Sequence, residues 1–388
     1  MKSFTFFMHN IYALGGTVKA VSELANTLAD KGHHIEIISV FRAQDEPYFK
    51  INDNIKIKTL VDYRLKPQNT KAIMMNRLNK YTSLLKPKEI NQFEPGLNQF
   101  SKYVEHKMIK AIKKVDTDVL VGTRASFNIL ISKYHSNDVI TVGMEHMNLH
   151  AHPENYQQDI LTAYRNIDLV TTLTQQDQLN YEQQIDTPVY TIPNIINPVK
   201  HATKKENIII SAGRLEFEKG FDILIESVRR IQNDLKQLNF KVEIYGDGQE
   251  RGHLQQLIDQ HQLNDLITIY PATQQLNTKL SNSKITVVPS RNEGFGMVLL
   301  EAMAQDNIVI SFKDTLGPAS IINHNSNGYL ANYGDAGSLA KYIDIAMNHV
   351  DEASQMINEG HVTLKQYTPN TVYEKFMTAI NRLYVKSD

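Results

Sequence analysis

The chain has 388 residues, 41% hydrophobic and 21% charged, with a net charge of −1 at pH 7 and no cysteine. That length is too great for one ordinary core and suits two soluble domains. Without cysteine there are no disulfides, thiolate metal sites or cysteine nucleophiles, and no run approaches the ~18 apolar residues of a membrane span.

Ser3–Met8 reads as a strand, followed by a loop with Gly15, Gly16 and Thr17. Helical spacing then runs from Val18 to Lys31 through Val18, Val21, Leu24, Ala25 and Leu28. Gly32 stops that helix, and Ile35–Val40 is the next strand. This alternation predicts a doubly wound parallel sheet, an α/β fold. Further strands are expected at Ile55–Leu60, Asp118–Gly122, Val139–Met144 and Asp168–Thr172, with helices near 71–86, 97–115, 126–134 and 175–184. Charge is uneven here. From Lys56 to Lys114 there are fourteen Lys and Arg against four Asp and Glu.

From Tyr190 to Glu206 periodicity is weak, which predicts an interdomain linker. A second alternation follows, with strands at Asn207–Ser211, Phe240–Tyr245, Leu266–Ile269, Ile285–Val288 and Ile308–Ser311. Helices are expected at 221–235, 250–260 and 273–282, after Gly296, and from about 335 onward. The last, after Pro369, is amphipathic through Val372, Phe376, Ala379, Ile380 and Leu383. The expected domains are 1–196 and 197–368. Two such Rossmann-like domains would face each other across a cleft, with the glycine-bearing loops at the carboxyl ends of their strands.

The most informative stretch runs from Pro289 to Ala304. A β-branched strand leads into Glu293-Gly294-Phe295-Gly296-Met297, and a helix carrying Glu301 follows. Such a turn aims free amides and the positive end of the helix dipole at a bound anion. Gly294 and Gly296 allow close approach of backbone to ligand, and amides with carboxylates suit a sugar nucleotide. Arg214 and Lys219, in the loop after the first strand of the second half, could converge on a diphosphate. Gly246, in Gly246-Asp247-Gly248, could let a base or ribose approach, although a plain strand-to-helix turn would look the same. Gly15 and Gly16 could wrap a phosphate or make a tight turn of positive φ. The three-glycine dinucleotide fingerprint is absent, which argues against a nicotinamide cofactor. His146, at the end of a strong strand, should point into the cleft and polarise a hydroxyl or a leaving oxygen. His150 and His152 follow without carboxylates at metal-site spacing, so no metal is expected.

Taken together, Gly15-Gly16, Gly213-Arg214…Lys219-Gly220, Gly246-Asp247-Gly248 and Glu293-Gly294-Phe295-Gly296…Glu301 resemble the retaining GT-B glycosyltransferases of the glycogen-synthase-like group. That group includes many bacterial polysaccharide and teichoic-acid enzymes. The resemblance implies a nucleotide-diphosphate sugar donor, most often UDP, transfer of a hexose with retention, and no metal or other cofactor. It implies that 197–368 holds the donor, that 1–196 holds the acceptor, and that 369–388 packs back on the first domain. It also implies that Arg214, Lys219 and Gly16 hold the diphosphate and Glu301 the ribose. Glu293, with Phe295 and Gly296, would hold the sugar, with His146 beside its ring. A basic segment with Arg77, Lys80, Lys86 and Lys88, beside the apolar Ile73, Met74, Leu78, Tyr81 and Leu85, suits an anionic partner. The expected acceptor is therefore a teichoic acid or a lipid-linked glycan rather than a nucleic acid. The expected location is the cytoplasm, peripherally on the membrane's inner face. A sugar-nucleotide epimerase and a non-catalytic sugar-nucleotide sensor are the alternatives.

Overall fold

Phe4, Phe6, Phe7 and Met8 are buried along a single strand, as expected of a parallel sheet covered by helices on both faces. The computed structural model describes residues 1–70, 74–75, 78, 85–197, 200–201 and 204–385. The helix expected near 71–86, with Arg77 and Lys80, lies largely outside them.

The first unit holds β1 (Ser3–Met8), β2 (His34–Arg42), β3 (Lys56–Asp62), β4 (Val119–Gly122), β5 (Ile140–Met144), β6 (Leu169–Thr172) and β7 (Val189–Thr191). All pair in parallel, in the order β3-β2-β1-β4-β5-β6-β7. Its helices are α1 (Gly16–Asp30), α2 (Lys102–Ile112), α3 (Ala125–Tyr134), α4 (Glu154–Tyr164) and α5 (Gln175–Glu182). The second unit, Ile196–Thr368, holds β8 (Ile208–Ala212), β9 (Lys241–Tyr245), β10 (Ile267–Tyr270), β11 (Ile285–Val287), β12 (Ile308–Phe312) and β13 (Tyr329–Ala331). They run in parallel in the order β10-β9-β8-β11-β12-β13. Around them lie α6 (Phe221–Arg230), α7 (Gln232–Gln237), α8 (Arg251–Gln260), α9 (Leu276–Asn282), α10 (Met297–Ala304), α11 (Leu316–Ile321), α12 (Ala336–Asn348) and α13 (Ser354–Leu364). Both sheets therefore reverse direction beside their first strand, between β1 and β4 and between β8 and β11. Ligands of doubly wound sheets bind outside the carboxyl ends at that point.

The chain ends in α14 (Pro369–Val385), which belongs to the first unit. Val372, Phe376, Ala379 and Ile380 are each no more than 1% exposed and share a core with Phe4, Phe6, Leu24 and Leu28. Phe376 packs on Phe4 with ring centroids 6.0 Å apart, and Tyr373 bonds His33 at 3.0 Å. Each large apolar side chain buried this way contributes roughly 1.5–3 kcal/mol.

Four elements were not expected. β7 occupies residues assigned above to the linker, so the chain leaves the first sheet later than the weak periodicity suggested. Ile195 and Ile196 are also buried, and the Ile196 amide bonds the Tyr367 carbonyl at 2.8 Å. The others are α4, α11 and β13.

Candidate active site

Two loops meet at the switch point of the second sheet. The loop after β8 carries Arg214 and Lys219, and the loop after β11 carries Glu293. Backbone bonds lace them together, since the amides of Arg291 and Asn292 donate to the Glu218 carbonyl at 2.7 and 3.2 Å. Gly220 closes the first loop in the left-handed region, φ 65°, and a Cβ there would lie 2.1 Å from the Pro289 carbonyl oxygen. Only glycine satisfies both demands. Arg291 forks onto Asp222 at 2.6–2.7 Å and caps the Phe217 ring. As a result, the Lys219 ammonium and the Glu293 carboxylate sit 2.6 Å apart, each about 20% exposed.

The Glu293–Gly296 turn is clamped from behind. Gly317, in α11, donates its amide to the Glu293 carbonyl at 3.1 Å, and a Cβ there would strike the Phe295 backbone. Phe295 is buried edge-on against Tyr367. Gly296 is left-handed, φ 99°, and α10 starts at Met297 with no side-chain cap and no acidic residue in its first turn. Its leading amides and dipole are therefore available to an anion. Gly294 and Met297 are half-buried in this turn, and Glu301 is buried in α10.

Lys219 and Arg214 differ in their surroundings. The Lys219 stem lies against Gly213, and its charge is taken by Glu293, whereas Arg214 is exposed. Gly246 needs a different reason from the one expected. Its amide is committed to the Tyr270 carbonyl, and a Cβ would lie 1.9 Å from the Gly213 carbonyl oxygen. Gly248 similarly abuts Leu215. These glycines pack the β9 loop under the β8 loop.

In the first unit, Gly15 is extended at φ 169°, which any residue adopts, and a Cβ at Gly16 would touch nothing. The protein's own packing therefore does not require Gly16, and the tight-turn explanation fails. Helix α1 likewise begins without a side-chain cap.

His146 follows β5, at the carboxyl end of a first-unit strand. Both ring nitrogens are buried and have no hydrogen-bond partner among the described residues, and the ring lines a small pocket with Ala20, Leu24, Met144, Leu173, Ile192 and Val372. Burial lowers its pKa to about 4, so the ring is neutral at pH 7. The adjacent Glu145 turns to the opposite face, where Asn128 donates to it at 3.1 Å and the Tyr164 hydroxyl bonds it closely. Paired glycines make room for this group: a Cβ at Gly122 would lie 2.1 Å from Asn128 Oδ1, and Gly143 is its partner across the ladder. Desolvation pushes the Glu145 carboxyl up to about 8, opposed by its two hydrogen bonds. Sequence reasoning passed over this network, whose one local sign was a carboxyl next to the chosen histidine. Lys86 and Lys88 are exposed.

Two doubly wound sheets in tandem, with glycine-bearing turns at the carboxyl ends of the strands beside each switch point, define the GT-B class of fold. Residues 194–362 match the family model of glycosyl transferases group 1, and this stretch is a domain of that family. An exopolysaccharide phosphotransferase of Streptomyces coelicolor is 28% identical over 355 residues, 88% of this chain but 36% of that protein. A poly(ribitol-phosphate) alpha-N-acetylglucosaminyltransferase of Staphylococcus aureus is 25% identical over 349 residues, 86% of this chain and 68% of that one. Among solved structures, a variant of S. aureus TarM in complex with fondaparinux, alpha-GlcNAc-glycerol and UDP superposes with a TM-score of 0.78. The match covers 98% of this chain and 100% of that one at 17% identity, a likeness of fold.

Proposed function

We propose that the chain is a retaining hexosyltransferase. It would move glucose or N-acetylglucosamine from a UDP-sugar to a hydroxyl of a cell-envelope acceptor, a polyol-phosphate teichoic acid or a lipid-linked glycan. The observation that carries this reading is the Lys219–Glu293 pair at the switch point of the second sheet, beside the uncapped start of α10.

Cleaving a sugar–phosphate bond builds positive charge on the ring and negative charge on the departing diphosphate. Lys219, Arg214 and the amides at the starts of α1 and α10 would stabilise the departing charge. Glu293 holds Lys219 in place before the donor arrives and would then engage the sugar hydroxyls, with the Phe295 and Gly296 backbone fixing its position. Glu301 would take the ribose. His146, uncharged, would accept a hydrogen bond beside the ring rather than repel the developing cation. No carboxylate is assigned as a nucleophile, so the acceptor would attack from the face the diphosphate leaves, handing its proton to the departing phosphate. With cations in this role the reading calls for no metal, and transfer should survive EDTA.

The basic segment of the first unit supports an anionic acceptor and a peripheral position at a membrane surface. No helix among the described residues is long and apolar enough to cross a membrane. The test is incubation with a panel of UDP-sugars and either poly(ribitol phosphate) or a lipid-linked glycan, with the product anomer read by NMR. An α-linked product is expected from an α-linked donor. Epimerised donor with no transfer, or binding with no turnover, would replace this reading with one of the alternatives.

A further inference from the structure

Between Lys86 and Lys114 the sequence has seven lysines and three carboxylates. All three carboxylates are engaged by groups of the fold, Glu89 at the surface and the other two buried. Glu89 pairs with Lys133 at 2.8 Å. Glu94, 4% exposed, holds Arg124 at 2.5 Å and the Tyr156 hydroxyl at 2.6 Å. Glu105, in the first turn of α2, turns inward and is also 4% exposed. Its carboxylate accepts the backbone amides of Lys88, Glu89 and Ile90 at 2.7–3.1 Å. Those charge-assisted bonds make its burial tolerable and fasten the Lys86–Ile90 loop to the start of α2.

What is left on the outside is cationic. Lys86, Lys88, Lys102, Lys110, Lys113 and Lys114 are all exposed, and none of them forms an ion pair among the described residues. Lys102 and Lys110 lie two turns apart on one helix face with His106 between them, so the positions step by ~6 Å. An ordinary solvated helix intersperses charges of both signs. Here Glu94 and Glu105 are buried and Glu89 is already paired with Lys133.

Topology gives this band a direction. Helix α2 crosses over into the parallel strand β4, so its first turn lies toward the carboxyl edge of the first sheet, where ligands of such sheets bind. The band starts there, at Lys86, Lys88 and Lys102, and descends the eleven residues of α2, about 16 Å at ~1.5 Å per residue. Of the apolar side chains of α2, Val104, Met108, Ala111 and Ile112 are buried, and Tyr103 and Ile109 are half-buried against the same core. The face therefore has nothing to insert among acyl chains, unlike a helix that lies in a membrane interface.

We propose that this face of α2, with the Lys86–Lys88 loop above it, is a track for the phosphodiester backbone of a polymeric acceptor. The chain end enters the acceptor side of the site while the phosphates behind it run along the lysines. This rests on the acceptor class proposed above. It adds that affinity should grow with acceptor length, because remote phosphates contribute binding without touching the chemistry.

The test compares wild type with a Lys102→Gln, Lys110→Gln, Lys113→Gln, Lys114→Gln variant, none of which has a part in the donor site. The readouts are KM and kcat on long poly(ribitol phosphate) chains and on their shortest fragments, and direct binding of the long chain without donor. The variant should raise KM for long chains about tenfold at low salt, with kcat and the short-fragment KM unchanged. Its long-chain binding should also lose much of its salt dependence. The inference is overturned if long and short acceptors respond alike, or if neither changes. It is equally overturned if the variant loses only binding to vesicles of anionic phospholipid. If wild type transfers to neither acceptor, the proposed function has failed, and donor-free binding still decides the track: equal binding by the two proteins removes it.

Discussion

Glu145 is buried beneath a strand end with two neutral hydrogen-bond donors and, among the described residues, no cation to balance it. Besides desolvation, the like charges of Asp177 and Glu94 raise its pKa, so the native state holds its proton from the ordinary value of 4.5 up to about 8. A raised acid gives stability that is whole below the unfolded value and is lost as pH rises through the native one. Native His146, lowered from 6.5 to about 4, acts in the opposite sense and loses stability as pH falls through that window. Glu145→Gln, which keeps the shape without the ionisation, should therefore flatten the decline in melting temperature between pH 5 and 8 that wild type shows once the histidine contribution is matched. Identical pH profiles of the two proteins would mean that Glu145 is ionised throughout. At Glu293 the prediction concerns rate. Glu293→Gln should lower kcat more than it raises the donor KM, because this carboxylate holds Lys219 and, in the proposed reaction, would also hold the sugar. Glu301→Gln, removing a contact present before and during reaction, should mainly raise the donor KM. A Glu293 variant altered only in KM would reverse the assignment.

Among the elements, the loops after β8 and β11 depend on a single backbone conformation. Gly220→Ala places a Cβ where the Pro289 carbonyl oxygen stands and imposes left-handed backbone on alanine. It should destabilise the second unit by at least ~1 kcal/mol and weaken donor binding with it. Unchanged donor affinity would show that the lacing of the loops is incidental. In the first unit, Phe376→Ala should cost about 3–5 kcal/mol, read by denaturant melts, because its ring is wholly buried against Phe4. Most strands were legible because parallel strands covered on both faces are unbroken β-branched and aromatic runs, as in Ile285–Val287. β7 and β13 were not: Val189-Tyr190-Thr191 runs straight into the weakly periodic stretch that follows it, and Tyr329-Leu330-Ala331 has no β-branched residue. Helix α4 has a buried stripe at Tyr156, Ile160, Ala163 and Tyr164, but Gln157, Gln158 and Asp159 mask it and its tyrosines read as polar. Helix α11 contains Gly317 and Pro318, which read as breakers although proline is tolerated in a first turn. The candidate site was legible where residues occur in motif spacing, and not where support comes from distant sequence. Nothing near Glu293 announces Gly317 or Tyr367, and nothing near His146 announces Asn128.

Across the whole chain, the cationic band and the donor loops belong to different units, 1–195 with α14 and 196–368. Acceptor and donor affinities should accordingly respond to different substitutions. The central claim is that the loops at the second switch point act on a nucleotide-diphosphate leaving group. Turnover of Lys219→Met at saturating UDP-sugar and acceptor tests it most directly, with circular dichroism and melting temperature measured on the same preparation. Turnover lower by ~100-fold or more in a protein that melts like wild type is the predicted result, the scale on which losing one preorganised donor to transition-state charge is felt. Turnover within a few-fold of wild type would contradict the account, because the ammonium at the centre of the site would then have no part in expelling the diphosphate.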